Sequence, residues 1–117
     1  DADLVSLYQA AWVTALPSDA EVFGMALLES LSCGTPGIGL NDGLGPASIL
    51  TEGTGVLAAK SPTGLARTIE AAFSLSVRAS TRRNCRDRAR DFDWQRAIVP
   101  RILEVYRSER DHADHAH

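Results

Sequence analysis

Apolar positions recur along this chain with two periods. Across residues 3–11, Leu4, Leu7, Tyr8 and Ala11 fall at helical spacing and predict a first helix, with Asp3 as its N-cap. Residues 12–16 form a short apolar run that reads as a buried strand, ended by the turn Pro17-Ser18-Asp19. Residues 23–33 are rich in Leu, Ala and Met and predict a second, mostly buried helix. Gly34 is its expected C-cap and Pro36 bars continuation. Residues 36–40 predict a second strand, in which Gly37 and Gly39 mark a close approach of backbones. After a loop over 41–45, Pro46 suits the first turn of a short helix reaching about Glu52, and 55–59 read as a third strand.

Helices follow. Residues 62–75 predict an amphipathic helix with Leu65, Ile69, Ala72 and Phe73 inward. Residues 77–91 predict a very polar one. Asp93 caps a last helix carrying Trp94, Ala97, Ile98, Ile102, Leu103, Val105 and Tyr106, with a kink expected at Pro100. From about Ser108 the chain reads as a frayed polar tail. The expected organisation is one domain over 1–108 and a tail over 109–117. Strands alternating with helices predict an α/β fold with a parallel, right-handed βαβ layer. Three short strands make a partial Rossmann-like sheet, since a free-standing doubly wound domain has about five or six. The expectation is a piece of a larger domain, with strands missing on the N-terminal side.

Composition narrows the function classes. Of 117 residues, 44% are hydrophobic and 23% charged, which excludes a disordered or fibrous chain. No apolar run reaches the roughly 18 residues of a membrane span, and the Asp-Ala-Asp start has no signal-peptide character. Net charge is −3, yet eleven of the twelve basic residues are arginines beyond residue 60. An acidic total argues against a nucleic-acid partner. Arg78, Arg82, Arg83, Arg86, Arg88 and Arg90 read as a solvated helix face with Asp87 and Asp91 interleaved, an anionic membrane surface being the weaker alternative. Cys33 and Cys85 form no CxxC pair or disulfide framework, which fits a reducing, cytoplasmic setting, and Cys33 reads as a small buried thiol. Trp12 and Trp94 read as core anchors. His112, His115 and His117 lie in the tail without the fixed geometry a metal needs.

The informative stretch runs from Pro17 to Pro36. Glu21 falls in a loop beyond a strand's carboxyl end, where open α/β sheets bind ligands. Phe23-Gly24-Met25 opens a helix whose N–H groups suit a phosphate, and Gly24 allows close approach. Glu29 follows eight residues after Glu21, about 12 Å along a helix. Two such carboxylates can bracket an extended ligand and accept hydrogen bonds from vicinal hydroxyls. Taken alone, they read first as an exposed helix glutamate and an ordinary loop acid.

Their setting adds to this. Leu16-Pro17-Ser18, Glu21, Phe23-Gly24, Glu29 and Cys33-Gly34-Thr35-Pro36 together resemble the C-terminal, nucleotide-sugar-binding half of retaining GT-B glycosyltransferases of family 4. The stretch 4–12, Gly53-Thr54-Gly55-Val56-Leu57, Phe92-Asp93-Trp94 and Val105-Tyr106 extend the likeness over residues 3–107. The resemblance implies transfer of a sugar from a UDP- or GDP-linked donor to an acceptor hydroxyl with retained configuration. It implies a catalytic contact of Glu21 with the sugar, and donor contacts from Val22, Phe23, Gly24, Met25 and Glu29. It implies no metal and no other cofactor. The sequence departs from the family pattern at Val22 and Leu44, where glycines are usual, and at Ser48, where an acid is usual. The family's basic phosphate-binding pair and acceptor domain are expected upstream of residue 1, so the 117-residue chain by itself is expected to be a poor transferase. The alternative is a catalytically inactive nucleotide-binding or protein-interaction module, whose exposed sheet edge invites dimerisation.

Overall fold

The computed structural model describes residues 2–19, 21–93 and 99–115. Among the described residues the elements follow in this order: α1 Ala2–Ala10, β1 Thr14–Leu16, α2 Met25–Ser32, β2 Gly37–Leu40, α3 Gly45–Ile49, β3 Gly55–Ala58, α4 Pro62–Ser76, α5 Thr81–Arg90 and α6 Val99–His115. The strands form one parallel sheet in the order β1-β2-β3. The register aligns Leu16, Gly39 and Leu57 in one row and Ala15, Ile38 and Val56 in the next. This is the expected α/β architecture, a partial Rossmann-like sheet flanked by helices.

Strand β2 explains how the layers fit. Its sequence alternates glycine with a large aliphatic residue, and successive side chains of a strand point to opposite faces. Ile38 and Leu40 point to α4 and pack with Ala58 and Ala72. Gly37 and Gly39 point the other way. A Cβ on Gly37 would lie 2.7 Å from Leu27, and one on Gly39 would lie 2.4 Å from Pro46. Helices α2 and α3 therefore lie directly on bare backbone. Leu27, Leu31, Ile49, Leu50 and Cys85 close the core on that face, with Leu16 and Leu57 beneath.

Local chemistry sets the element ends. Ser61 caps α4 by accepting the Gly64 N–H at 3.0 Å, with Pro62 in the first turn. Helix α2 ends in a Schellman motif: Gly34 has φ 86°, its N–H reaches the Leu31 carbonyl at 2.9 Å, and the Thr35 N–H reaches the Ser30 carbonyl at 3.0 Å. Buried Ser30 donates to the Thr35 carbonyl at 2.9 Å and lies 2.8 Å from the Thr14 hydroxyl, which ties α2 to β1.

Several expectations are corrected. Asp3 lies inside the first turn of α1, which begins at Ala2, and is not an N-cap. Helix α2 starts at Met25 because Gly24 is left-handed, and only Leu27, Ser30 and Leu31 of it are buried. Helix α5 starts at Thr81, after a turn in which the Thr81 hydroxyl donates to the Leu75 carbonyl at 2.7 Å. Ile69 and Phe73 are exposed, and α4 buries Thr68, Ala72 and Leu75 instead. Trp12 is no core anchor: it is 64% exposed and meets Phe73 edge-on at 5.5 Å. Cys33 is half-buried at the end of α2, and the buried thiol is Cys85. The polar segment after Ser108 is helical through His115 rather than frayed, and α6 buries none of its residues. Trp94, Ala97, Ile98 and His117 lie outside the described residues. So does the stretch preceding Val99 on which a kink at Pro100 depends. Among the described residues, no helix is long and apolar enough to cross a membrane.

Candidate functional site

The carboxyl ends of the three strands meet at one edge, and the loops following them carry the candidate chemistry. The loop after β1 holds Asp19 and Glu21 and turns into α2 at Gly24, whose φ of 85° and ψ of 51° are left-handed. Leu27 and Leu28 both return their N–H groups to the Gly24 carbonyl, at 3.0 and 3.2 Å. Met25 and Ala26 thus precede the first intrahelical bond, and their N–H groups stand at the positive end of α2.

Two contacts fix this loop to its neighbours. The Gly45 N–H donates to the Glu21 carbonyl at 3.1 Å. Gly45 is pressed so closely that a Cβ there would lie 2.4 Å from the Phe23 backbone. On the far side, Lys60, after β3, forms an ion pair with Asp19. Between these loops opens a hollow of about 400 Å³, lined in part by Asp19, Lys60, Leu40 and Leu65. That volume falls within the range of small-molecule sites.

The expected site residues are distributed as follows. Glu21 is half-buried, with its backbone engaged by Gly45. Val22 is 84% exposed, so its bulk points to solvent. Phe23 meets Phe92 edge-on at 6.1 Å between ring centroids. Gly24 is buried, and Met25 is exposed at the first position of α2. Glu29 is exposed on the same helix. The eight-residue step is not eight residues of helix, because Glu21 precedes α2, so the 12 Å spacing expected from helical rise does not apply. The departing residues Leu44 and Ser48 serve the second loop locally: the Leu44 N–H donates to the Asp42 carboxylate at 3.0 Å, and the Ser48 hydroxyl donates to the Gly45 carbonyl at 2.7 Å.

Tyr8 adds a contact that its spacing does not announce. Helical spacing puts it on α1 with Leu4 and Leu7, and there it donates its hydroxyl to a Glu29 carboxylate oxygen at 3.1 Å. Burial, and after it the Glu29 carboxylate, raise the phenol above its ordinary pKa, so it stays a donor. Thr35 anchors the same helix by donating to the Tyr8 carbonyl. The Asp19–Lys60 pair also escaped notice, because 41 positions separate its partners.

Residues 1–92 match the family model described as glycosyl transferases group 1. The chain belongs to that family. This group 1 chain is 37% identical over 110 residues to a D-inositol 3-phosphate glycosyltransferase of Saccharomonospora viridis, covering 90% of the chain and 25% of the relative. It is 36% identical over 102 residues to a GDP-mannose-dependent alpha-(1-6)-phosphatidylinositol dimannoside mannosyltransferase of Mycobacterium tuberculosis, covering 87% and 26%. A relative from Salinispora arenicola, also named D-inositol 3-phosphate glycosyltransferase, is 36% identical over 106 residues, covering 89% and 23%. The chain thus spans about a quarter of the length of these group 1 relatives.

Proposed function

We propose that this chain carries the donor-binding face of a retaining GT-B glycosyltransferase of family 4, which moves a hexose from a nucleoside-diphosphate sugar to an acceptor hydroxyl. The observation that carries the reading is the β1–α2 turn. A left-handed glycine brings the start of α2 to the carboxyl edge of a parallel sheet, with Glu21 just before it and Glu29 exposed further along. In this reading Glu21 accepts hydrogen bonds from hydroxyls of the transferred sugar and is the catalytic contact. The backbone from Phe23 to Met25 faces the diphosphate, and Glu29 takes the ribose hydroxyls, held ready by Tyr8. The relatives' names support a nucleotide-linked hexose as donor and a phosphoinositol-type acceptor. Transfer proceeds without a metal ion, with the leaving diphosphate helping to deprotonate the acceptor.

One observation favours dependence on a second half. Lys60, the only basic residue among the first 60, is already paired with Asp19. A diphosphate on this face meets backbone dipoles without a free lysine beside it. Charge-assisted hydrogen bonds contribute about 1.5–3 kcal/mol each. We assign those counter-charges and the acceptor site to the remaining part of the enzyme, and little turnover to these 117 residues alone.

Calorimetric titration with sugar nucleotide and with free nucleoside diphosphate tests the two glutamates. Glu29→Ala is expected to weaken both ligands about tenfold or more, for lost hydrogen bonds to a charged group. Glu21→Ala is expected to abolish the preference for the sugar-bearing ligand while leaving the free diphosphate unaffected. Equal binding of both ligands by wild type and both variants contradicts the assignment.

A further inference from the structure

Arginine 88 does not behave like the rest of the α5 run. Its guanidinium spends its donors inward: Nε donates to the Ile49 carbonyl at 2.9 Å and Nη2 to the Ser48 carbonyl at 2.7 Å. These are carbonyls at the end of α3, where cationic donors are favoured. Nη1 meets the Asp91 carboxylate at 2.9 Å, and the guanidinium carbon lies 4.9 Å from the centre of the Phe92 ring. The Phe92 ring in turn meets Phe23, in the loop before Gly24, at 6.1 Å and 75°.

The contacts close a ring around α3. Its first residue, Gly45, donates to Glu21 and abuts the Phe23 backbone. Its last carbonyls are held by Arg88. Phe92 links Arg88 back to Phe23. We propose that Arg88 is a positioning residue: by gripping the end of α3 and stacking on Phe92, it sets α3 and Phe23 so that the Glu21–Gly24 turn keeps its shape. The guanidinium fork suits this task because it serves two carbonyls, a carboxylate and a ring face from one plane, which an ammonium cannot do. The link between Arg88 and the turn does not depend on what the turn binds. Its consequence for donor affinity rests on the function proposed above.

Amide hydrogen exchange by NMR tests the link without any ligand. In Arg88→Gln the Gly45 amide is expected to exchange about tenfold faster, the order of one lost charge-assisted contact. Arg88→Lys is expected to recover only part of that protection. Asp91→Asn, which leaves both carbonyl contacts and the ring in place, is expected to stay near wild type. The phenyl resonances of Phe23 should shift in Arg88→Gln and in Phe92→Leu. A merely structural role gives a different pattern: faster exchange for the Ile38 and Leu40 amides of β2, with Gly45 and the Phe23 resonances unchanged. That pattern overturns the proposal. If nucleotides fail to bind wild type while Gly45 responds as described, the function reading fails and the Arg88 link stands.

Discussion

The two faces of the sheet are built differently, although both rest on the same three strands. Toward α4, the contact is side chain against side chain: Ile38, Leu40, Val56 and Ala58 meet Ala72 and Leu65. Toward α2 and α3, β2 offers only Gly37 and Gly39, and the helices touch its backbone. The first face is an ordinary core that adjusts to small changes in volume. The second is a template, because nothing flexible separates the strand from the helix that follows Gly24 and carries Glu29. The candidate site sits on the face with the least freedom to relax, as expected where carboxylates and backbone dipoles must be held in fixed relation.

Single substitutions break that comparison. Gly39→Ala places a methyl 2.4 Å from Cβ of Pro46, in the short helix that begins at Gly45. It is expected to cost about 3 kcal/mol, the upper end of overpacking, and to lower donor affinity as well. Its neighbour Ile38→Val, on the α4 face, is expected to cost about 0.5–1.5 kcal/mol and leave ligand binding alone. Chemical denaturation of the pair checks the contrast.

Cys85 reports on the same rigid face through pH. Burial pushes its thiol from 9.0 up to about 11, opposed by the nearby Arg86 and Arg82. The unfolded thiol therefore ionises first. Stability is full below pH 9 and falls as pH rises from about 9 to about 11, on the order of 2 kcal/mol. Denaturation midpoints in Cys85→Ala should lack that alkaline decline while being lower at neutral pH. The smallest effect belongs to Asp19–Lys60, whose side chains are both mostly exposed. Asp19→Asn is expected to change stability by less than about 1 kcal/mol, and thermal melting should register little.

How much of this was legible in the sequence depends on range. Strands β2 and β3 and helix α4 follow their predicted limits within about a residue, because Pro36, Pro62, Ser61 and the local glycines mark the ends chemically. The α2 start was misplaced by two residues, since Gly24 takes a left-handed conformation that apolar spacing does not report. Trp12, Ile69 and Phe73 have apolar character without burial, and periodicity reports character alone. Glu21, Gly24 and Glu29 were legible as a motif. Tyr8, Lys60 and Arg88 act on partners 21, 41 and 39 or 40 residues away, and no local pattern announces them.

The proposed role of the β1–α2 turn and Glu29 is a nucleotide-sugar site. Thermal melting of the chain against UDP, GDP, ADP and their sugar conjugates, with Glu29→Ala alongside, tests it most directly. A ligand at 100 times its dissociation constant adds about 2.7 kcal/mol of stability, a readable rise in midpoint for a domain of this size. Such a rise is expected for one nucleotide family in wild type, and its loss in Glu29→Ala. A cooperative melt that no nucleotide moves, or a rise that Glu29→Ala retains in full, contradicts it.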